Sequence, residues 1–353
     1  MKMRGDYTAL DPALEIIHRT SPDLRNGNSN HAPMAVEALC AMGRADAVAR
    51  WLEGYRNAMM PRATPYQRID DWRSALGRIE RVADWSALFD NELNEAPWRE
   101  VLERWTARLA PGICGAATHG VIRVGHAVRG LAESESPARR NELADGLGYW
   151  AATFQELPAD LSAPAVAPIT TMNPREAIFK VATIPRERRR YAGSIASSLL
   201  ALNEFPEFAP AIGLVGVSGD PSRLISELTE TFARVYLANA RDFLSALVFI
   251  HGVTSAAALR SMIPFLGAQT ARDAARFGWQ AGCALYATFG RTPAPASEIE
   301  PPRESNDTLI DMAIANGDEH AIKFTEACVR EHALNPSPAY LAAARHAIDI
   351  LRS

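Results

Sequence analysis

The sequence predicts an all-α protein, built as a single large helical domain over residues 1–353. Apolar residues recur at intervals of three and four along most of the chain, as in residues 34–42, whereas segments of alternating β-branched residues are scarce. Of the 353 residues, 48% are hydrophobic, which is sufficient for a large buried core. About a dozen helices are expected from this periodicity.

Residues that commonly precede or begin helices mark the main elements in chain order. Asp11 is expected at the start of the first helix, and Asn30 precedes the second. Asp220 opens a helical stretch of up to about thirty residues, and Asp318 can cap the helix that follows it. The best candidate for a strand is the short segment 211–217, which glycine interrupts.

Two long segments are rich in proline and small residues. They are residues 157–174 and residues 292–306. Such a composition is typical of loops. We therefore expect each segment to link helices without regular structure and to cover a site or separate domains.

Composition excludes several functional classes. The formal net charge of −4 gives no basic excess for nucleic-acid binding. The longest apolar run, residues 243–250, is too short to span a membrane, and the N-terminus lacks the apolar segment of a signal peptide. These features predict a cytoplasmic protein. The four cysteines are too far apart in the sequence to indicate a thiolate metal site: Cys40, Cys114, Cys283 and Cys328.

The common catalytic and nucleotide-binding motifs are missing from the sequence. There is no GxGxxG after a strand, no P-loop, no GxSxG and no HExxH. The glycine-rich residues 213–219 predict a turn before a helix, with a phosphate cradle as the alternative. The basic run 186–190 predicts an exposed helix face, with an anion site as the alternative.

The histidines differ in their surroundings. His31 lies in the first turn of a strongly apolar helix and can point into a buried site. His251 follows an apolar segment, and its buried imidazole must find a partner, which is either a carbonyl or a metal. Three other histidines are expected to have structural roles in or at the ends of helices: His18, His332 and His346.

His119 and His126 lie seven residues apart in one helical segment. This spacing puts both on the same helix face, roughly 10.5 Å apart along the axis. Either one is a metal ligand with the other behind it, or both reach a metal between them; the alternative for each is a core histidine with its hydrogen bonds satisfied inside the fold. Gly120 and Gly125 remove bulk beside the histidines, which fits close approach of another backbone or of a bound group.

His320 and Lys323 lie one helical turn apart, shortly after Asp318. The chain has 37 basic residues, of which only Lys2, Lys180 and Lys323 are lysine. A lysine cation near a helix start opposes the helix dipole. Carbamylation would turn Lys323 into an anionic metal ligand, whereas the alternative is a lysine that extends to solvent.

Four segments occur in order and together resemble the questin oxidase-like family over about residues 9–335: SNHAPMAVEAL, THGVIRVGHAVRGL, FIHGVTSAAALR and DEHAIKFTEA. The resemblance implies a mainly helical fold and oxidative ring opening of polycyclic aromatic polyketides, such as anthraquinones, with dioxygen. It also implies mononuclear non-haem iron, Fe(II), held by four histidines and a carbamylated lysine. The matching residues are His31, His119, His126, His251, His320 and Lys323.

Five histidines are thus available for four places, and His119 is ranked as the one expected outside the ligand set. His119 or Glu37 is the candidate acid–base group. The aromatic pocket is expected between the two long loops and the helices that contain Phe249, Phe265 and Trp279. Substrate identity, a reductant such as NADPH, the native metal and the oligomeric state are left open.

Two other functions compete with the oxygenase. A metal-dependent hydrolase would use a carbamylated lysine to bridge two metals. A non-enzymatic helical binding protein would keep the histidines as core residues.

Overall fold

The computed structural model describes residues 4–160, 172–295 and 297–352. The predicted all-α fold class is confirmed, and short helices bring the number above the expected dozen. Within the described ranges the α-helices are α1 (Leu10–Ile17), α2 (Ala32–Ala41), α3 (Ala45–Tyr55), α4 (Trp72–Ala75), α5 (Val82–Glu95), α6 (Trp98–Leu109), α7 (His119–Glu133), α8 (Pro137–Ala152), α9 (Pro174–Ala177), α10 (Ile195–Leu199), α11 (Pro221–Asn239), α12 (Phe243–Met262), α13 (Ala268–Phe289), α14 (Asn306–Asn316), α15 (Glu319–Leu334) and α16 (Pro338–Ile350).

Short 3₁₀ helices and one small antiparallel sheet supply the rest of the regular structure. The sheet pairs β1 (Thr20–Leu24) with β2 (Met59–Pro61). The 3₁₀ helices of the described residues are Arg56–Ala58, Ile79–Arg81, Ala110–Gly112, Gly115–Thr118, Ile178–Lys180, Arg186–Arg188, Leu200–Glu204, Pro206–Gly213 and Ile263–Phe265.

Two predictions of local structure were wrong. The segment 211–217 is not a strand, because the 3₁₀ helix Pro206–Gly213 covers its first half and Val215 makes only an isolated bridge to Met172. The helical stretch expected after Asp220 is two helices, since α11 ends at Asn239 and Asp242 caps α12. A capping aspartate inside a helical pattern marks the break.

One of the two predicted loops is confirmed, and the centre of the other lies outside the described residues. Residues 292–306 are confirmed as a loop, because their described residues form no helix or strand before α14. The loop predicted at 157–174 has its centre, residues 161–171, outside the described residues. Asp318 caps α15 as predicted, and its side chain accepts hydrogen bonds from the backbone N–H groups of His320 and Ala321.

The buried apolar residues form two clusters that meet along shared helices. The larger cluster is built mainly from α5–α8 and α11–α13, and the smaller joins α1–α3 to α14. Helices α15 and α16 contribute opposite faces to both clusters. The single domain over residues 1–353 stays a prediction. Burial of these apolar faces supplies the main driving force for folding.

Two glycines allow helices to approach closely around the start of α7. A Cβ at Gly125 would lie 2.7 Å from the Cα of Ala258, and one at Gly120 would lie 2.6 Å from the Cα of Trp150. Either contact is too short for any residue with a side chain. The prediction of close backbone approach is therefore confirmed, and it brings α12 and α8 against the helix that begins at His119.

Helix α12 extends the apolar run at residues 243–250 into a longer apolar segment. With its 3₁₀ extension, Phe243–Phe265 is the one segment of the described residues whose length and apolar composition would allow it to cross a membrane. In the folded protein 72% of the most apolar stretch of this segment is buried, as expected for a core helix of a globular protein. This is weak evidence for a membrane span.

Candidate metal centre

Four of the predicted histidines meet at one point in the fold. His31 immediately precedes α2, His119 is the first residue of α7, His251 lies within α12, and His320 is near the start of α15. The ring centroids are 4.7 Å apart for His31 and His119, 4.4 Å for His31 and His320, and 4.6 Å for His119 and His251. All four residues are buried.

Backbone carbonyl groups fix the tautomers of two of these histidines. His119 Nδ1 lies 2.5 Å from the carbonyl oxygen of Ala116, and His251 Nδ1 lies 2.6 Å from that of Leu247. A carbonyl oxygen can only accept, so each Nδ1 must donate and each neutral ring keeps a lone pair on Nε2. These two Nε2 atoms face each other at 3.2 Å. Two lone pairs at this distance repel unless a cation or a proton lies between them.

Carboxylates occupy the corresponding positions beside the other two histidines. His320 Nδ1 lies 3.2 Å from Asp318 Oδ1, and His31 Nδ1 lies 3.6 Å from Glu319 Oε1. Within the described residues His31 Nδ1 is a buried atom without a hydrogen-bond partner. His31 Nε2 points to His119 Nε2 at 2.7 Å. Partners that hold Nδ1 while Nε2 faces a shared centre are typical of metal-binding histidines.

Three of the histidine rings, those of His31, His119 and His251, are held in their neutral form. Burial and the nearby charge of Lys323 lower the pKa of His31 well below its usual value and that of His119 to about 3. Burial and the neighbouring histidines also lower the pKa of His251 well below its usual value. Neutral imidazole is the form that binds metals.

Lys323 lies beside the cluster on α15. Its side chain is almost fully buried, and burial lowers the pKa of its ammonium to about 8 despite the opposing effects of Glu319 and Asp318. Across the described ranges the Lys323 amine has no hydrogen bond or ion pair. A lysine with this pKa is neutral often enough near pH 7 to act as a nucleophile.

The donor set fits a first-row transition metal. His31, His119 and His320 offer ligand nitrogens within 4.8 Å of one another, and His251 Nε2 lies 3.2 Å from His119 Nε2. Imidazole nitrogens suit iron, copper or zinc, and this group of described residues includes no thiolate. Separations of 2.7 and 3.2 Å between nitrogens are also near those of neighbouring ligands around one ion, since metal–nitrogen bonds measure roughly 2.0–2.1 Å. The residues present therefore fit the metal that the family resemblance implies.

A strained turn places His119 at this centre. Ala116, Ala117 and Thr118 have φ values of 45°, 53° and 72°, so three successive residues with side chains adopt the left-handed conformation. Each such residue costs about 1–2 kcal/mol. The turn brings the carbonyl of Ala116 back to His119 Nδ1. Backbone strain of this kind concentrates at functional sites. Alanine and threonine give no sequence signal for it.

His126 and Glu37 lie together outside the cluster. His126 Nδ1 is 2.6 Å from Glu37 Oε2, and the same carboxylate accepts hydrogen bonds from Tyr7 at 2.9 Å and from Arg129 Nε at 2.7 Å. Arg129 also pairs with Glu326 at 2.5 Å. The structure thus corrects the ranking of the α7 histidines, because His119 joins the cluster and His126 does not.

The same contacts bear on the predicted acid–base role of Glu37. Arg129 and His126 hold the pKa of the Glu37 carboxyl far below its usual range, although burial opposes them. A carboxylate with all its lone pairs engaged is a poor proton carrier. The arrangement favours a structural role for Glu37. His119 lies within the histidine cluster, where its Nδ1 donates to the carbonyl of Ala116 and its Nε2 faces His31.

The comparison with protein families confirms the suspected resemblance. The family model described as Questin oxidase-like matches residues 28–328. The chain belongs to the questin oxidase-like family. The matched range includes the four clustered histidines and Lys323. No curated protein matches the chain. Membership indicates an oxidoreductase that acts on a small molecule, and the family name points to aromatic polyketides.

The three aromatic residues named for the predicted pocket pack in or against the core of this questin oxidase-like protein, and the pocket itself stays a prediction because residues 161–171 of one of its loops lie outside the described residues. Phe249 and Trp279 are buried in the larger apolar cluster, where the indole N–H of Trp279 donates to the carbonyl of Ala211 at 2.8 Å. Phe265 packs edge-on against Trp98, with centroids 5.0 Å apart. Large apolar residues at helical spacing are more often core than cavity wall, and that is the outcome here.

A cleft lies instead between α3 and α14, beside the histidine cluster. It has a volume of about 880 Å³, and its walls include Arg50, Trp51, Tyr55 and Gly317. The rings of Trp51 and Tyr55 stack with centroids 4.8 Å apart. The Tyr55 hydroxyl accepts a hydrogen bond from the backbone N–H of His31 at 3.2 Å. Tyr55 therefore separates the cleft from the cluster.

Proposed function

We propose that this questin oxidase-like protein is an iron-dependent oxygenase that uses dioxygen to open a ring of a polycyclic, anthraquinone-like compound. The single observation that carries the metal dependence is the convergence of the Nε2 atoms of His31, His119 and His251, whose separations are 2.7 and 3.2 Å. The oxidoreductase class rests on family membership. Cytoplasmic location is part of the proposal and is supported by the burial of α12.

The geometry supports a proposed set of four histidine ligands. His31, His119, His251 and His320 would hold the iron through Nε2, with their Nδ1 atoms oriented by carbonyls and carboxylates. When bound, Fe(II) would supply the redox chemistry by which dioxygen reacts with an electron-rich aromatic compound. Lys323 would add an anionic oxygen ligand after carbamylation.

Carbamylation of Lys323 requires only its neutral amine and carbon dioxide. The neutral amine attacks the carbon of carbon dioxide, a nitrogen–carbon bond forms, one carbon–oxygen π pair moves to oxygen, and the amine proton is released to solvent. The lowered pKa of about 8 supplies the neutral amine. The product is a carboxylate-like anion that offsets the charge of a divalent metal.

The cleft beside Tyr55 is proposed to bind the substrate. Its volume of about 880 Å³ lies within the usual range of small-molecule sites. A flat aromatic ring system stacks favourably on Trp51 and Tyr55. Arg50 forms no ion pair with any described residue, so its charge is available to a phenolate or carboxylate of the substrate.

The proposal is tested by metal analysis and oxygen consumption. Freshly purified protein should contain about one iron per chain and should consume dioxygen with an anthraquinol. Lys323→Arg should lose the iron and the activity, whereas Lys180→Arg, at an exposed position, should keep both. A protein that takes up no metal even after anaerobic incubation with Fe(II) would contradict the proposal.

Carbamylation has its own test. Lys323→Ala should lose iron and regain part of it in the presence of acetate, which replaces the carboxylate. Methylamine, which replaces only the amine, should not restore it. Wild-type protein should also show a carbamate signal by NMR in isotopically labelled bicarbonate. Rescue by methylamine rather than acetate would assign the role to the free amine.

One observation favours a two-metal hydrolase as a second candidate. Asp318, Glu319 and His320 form an additional group whose ligand atoms lie within 4.8 Å of one another. A second ion there would share His320 with the first. Two metals per chain and turnover of an ester or amide without dioxygen would support the hydrolase over the oxygenase.

A further inference from the structure

A second cavity opens at the surface near the start of α12 and the end of α13. Its volume is about 550 Å³, and four arginines line it: Arg186, Arg189, Arg190 and Arg291. Three of them belong to the basic run noted in the sequence, and Arg291 joins them from the chain that follows α13. None of the four clustered histidines lines this cavity.

The four guanidinium groups have no carboxylate partners. In the described part of the chain none of them forms an ion pair, although arginines elsewhere, such as Arg123 and Arg260, are paired with glutamates. The side chains of Arg189 and Arg190 donate only to backbone carbonyls. No aspartate or glutamate lines the cavity.

The nearby charges confirm that the positive potential is not neutralised. Burial and the charges of Arg291 and Arg186 lower the pKa of Arg189, with only Tyr286 opposing them. Asp242 lies close enough to sense the charge of Arg291. Its Oδ1 accepts hydrogen bonds from the backbone N–H and the hydroxyl of Ser245, each at 2.8 Å, and among the described residues the carboxylate forms no ion pair with Arg291.

Apolar side chains complete the cavity wall. Tyr191 and Leu244 are 54% and 38% exposed, and Phe289 lies beside them. Exposed aromatic and aliphatic groups next to unpaired cations suit a ligand with an anionic part and a flat apolar part. Arginine is favoured where phosphate oxygens are bound through two hydrogen bonds at once.

We propose that this cavity binds a nucleotide, with its phosphates on Arg186, Arg189, Arg190 and Arg291 and its base against Tyr191 and Phe289. The site lies outside the histidine cluster and does not depend on the metal. Nucleotide binding without a glycine-rich motif is possible because side-chain guanidinium groups, rather than backbone N–H groups, would bind the phosphates.

Titration calorimetry on the full-length protein tests the proposal, with ATP, NADPH and pyrophosphate as probes. One nucleotide should bind per chain, with an affinity that falls as salt concentration rises. Arg189→Met and Arg291→Met should each weaken binding roughly ten- to hundredfold. Arg223→Met, at an exposed position on α11, is the matched control and should leave binding unchanged.

The competing outcomes are distinct. Failure of all three soluble probes to bind at millimolar concentration would overturn the proposal, as would equal binding by the wild type and the Arg189→Met variant. Binding only to vesicles rich in anionic lipid would assign the surface to membranes and would also overturn it. Iron content of Arg189→Met should match the wild type, so a failure of the metal proposal would be seen separately.

Discussion

Two histidines on one helix have opposite surroundings in this protein. His119 begins α7 and offers a free Nε2 to a cluster of neutral rings. His126, seven residues later on the same helix, is held in a charged network with Glu37, Arg129 and Glu326. Burial disfavours the charged form of both rings and lowers the pKa of each.

The difference comes from the partners that other helices bring. The His119 ring faces His31 and His251, whose unprotonated nitrogens cannot all be satisfied by one another. The His126 ring faces a carboxylate that is itself neutralised by an arginine. An unsatisfied group of donors is suited to a ligand, whereas a satisfied network stabilises the fold.

The largest expected effect is a difference in iron content between variants of His119 and variants of His126. His119→Gln removes a proposed ligand and should abolish stable iron binding. His126→Gln, with the same change in side chain, should retain it, because at most the roughly 10–100-fold loss typical of an outer partner applies. Iron per chain is measured by mass spectrometry after dialysis. Retention of iron by His119→Gln together with its loss from His126→Gln would reverse the comparison.

The second-largest expected effect is a loss of folding stability when the charged network around Arg129 is broken. Arg129→Met removes the arginine partner of the buried Glu37 and leaves Glu326 paired only with Arg330, which should lower the free energy of unfolding by about 3–5 kcal/mol. Urea denaturation of the metal-free protein measures this change in the free energy of unfolding. The double variant Arg129→Met/Glu37→Gln should recover part of the loss. A single variant as stable as the wild type would show that the network does not stabilise the fold.

The sequence predicted the residue types of the site better than their arrangement. The order of the four segments led to the correct family, and helix periodicity to the fold class. Which α7 histidine joins the cluster depends on the turn at residues 116–118, for which alanine and threonine give no warning. Glu319 was missed for a similar reason. Its place beside His31 depends on the packing of α15 against α2, which local sequence does not encode.

A smaller effect should appear as a dependence of stability on pH. Because the pKa of Glu37 is lowered in the folded protein, its contribution is fully present above its ordinary value of 4.5 and is lost as pH falls below it. Tyr7, His126, Arg129 and Glu326 are the ionisable groups that face this carboxylate.

Urea midpoints of the metal-free protein between about pH 7 and pH 3 measure this dependence. The wild type should lose more stability over the acidic part of the range than Glu37→Gln, which starts lower and changes less. Glu53→Gln, at an exposed position on α3, is the matched control and should follow the wild type. Identical slopes for the wild type and Glu37→Gln would contradict the assignment.

The smallest expected effect tests the strain beside His119. Ala116→Gly should raise the free energy of unfolding by about 1 kcal/mol, since glycine adopts the left-handed conformation without steric cost. Ala49→Gly, at an exposed position within α3, should lower it by a similar amount, because glycine disfavours a regular helix. Opposite signs for one chemical change would show that the backbone at Ala116 is strained, because the same change in the regular helix α3 has the opposite effect. Destabilisation by Ala116→Gly would mean that contacts of the alanine methyl group outweigh the backbone strain. His119 would then be positioned by packing and not by a turn that holds it against its own preference.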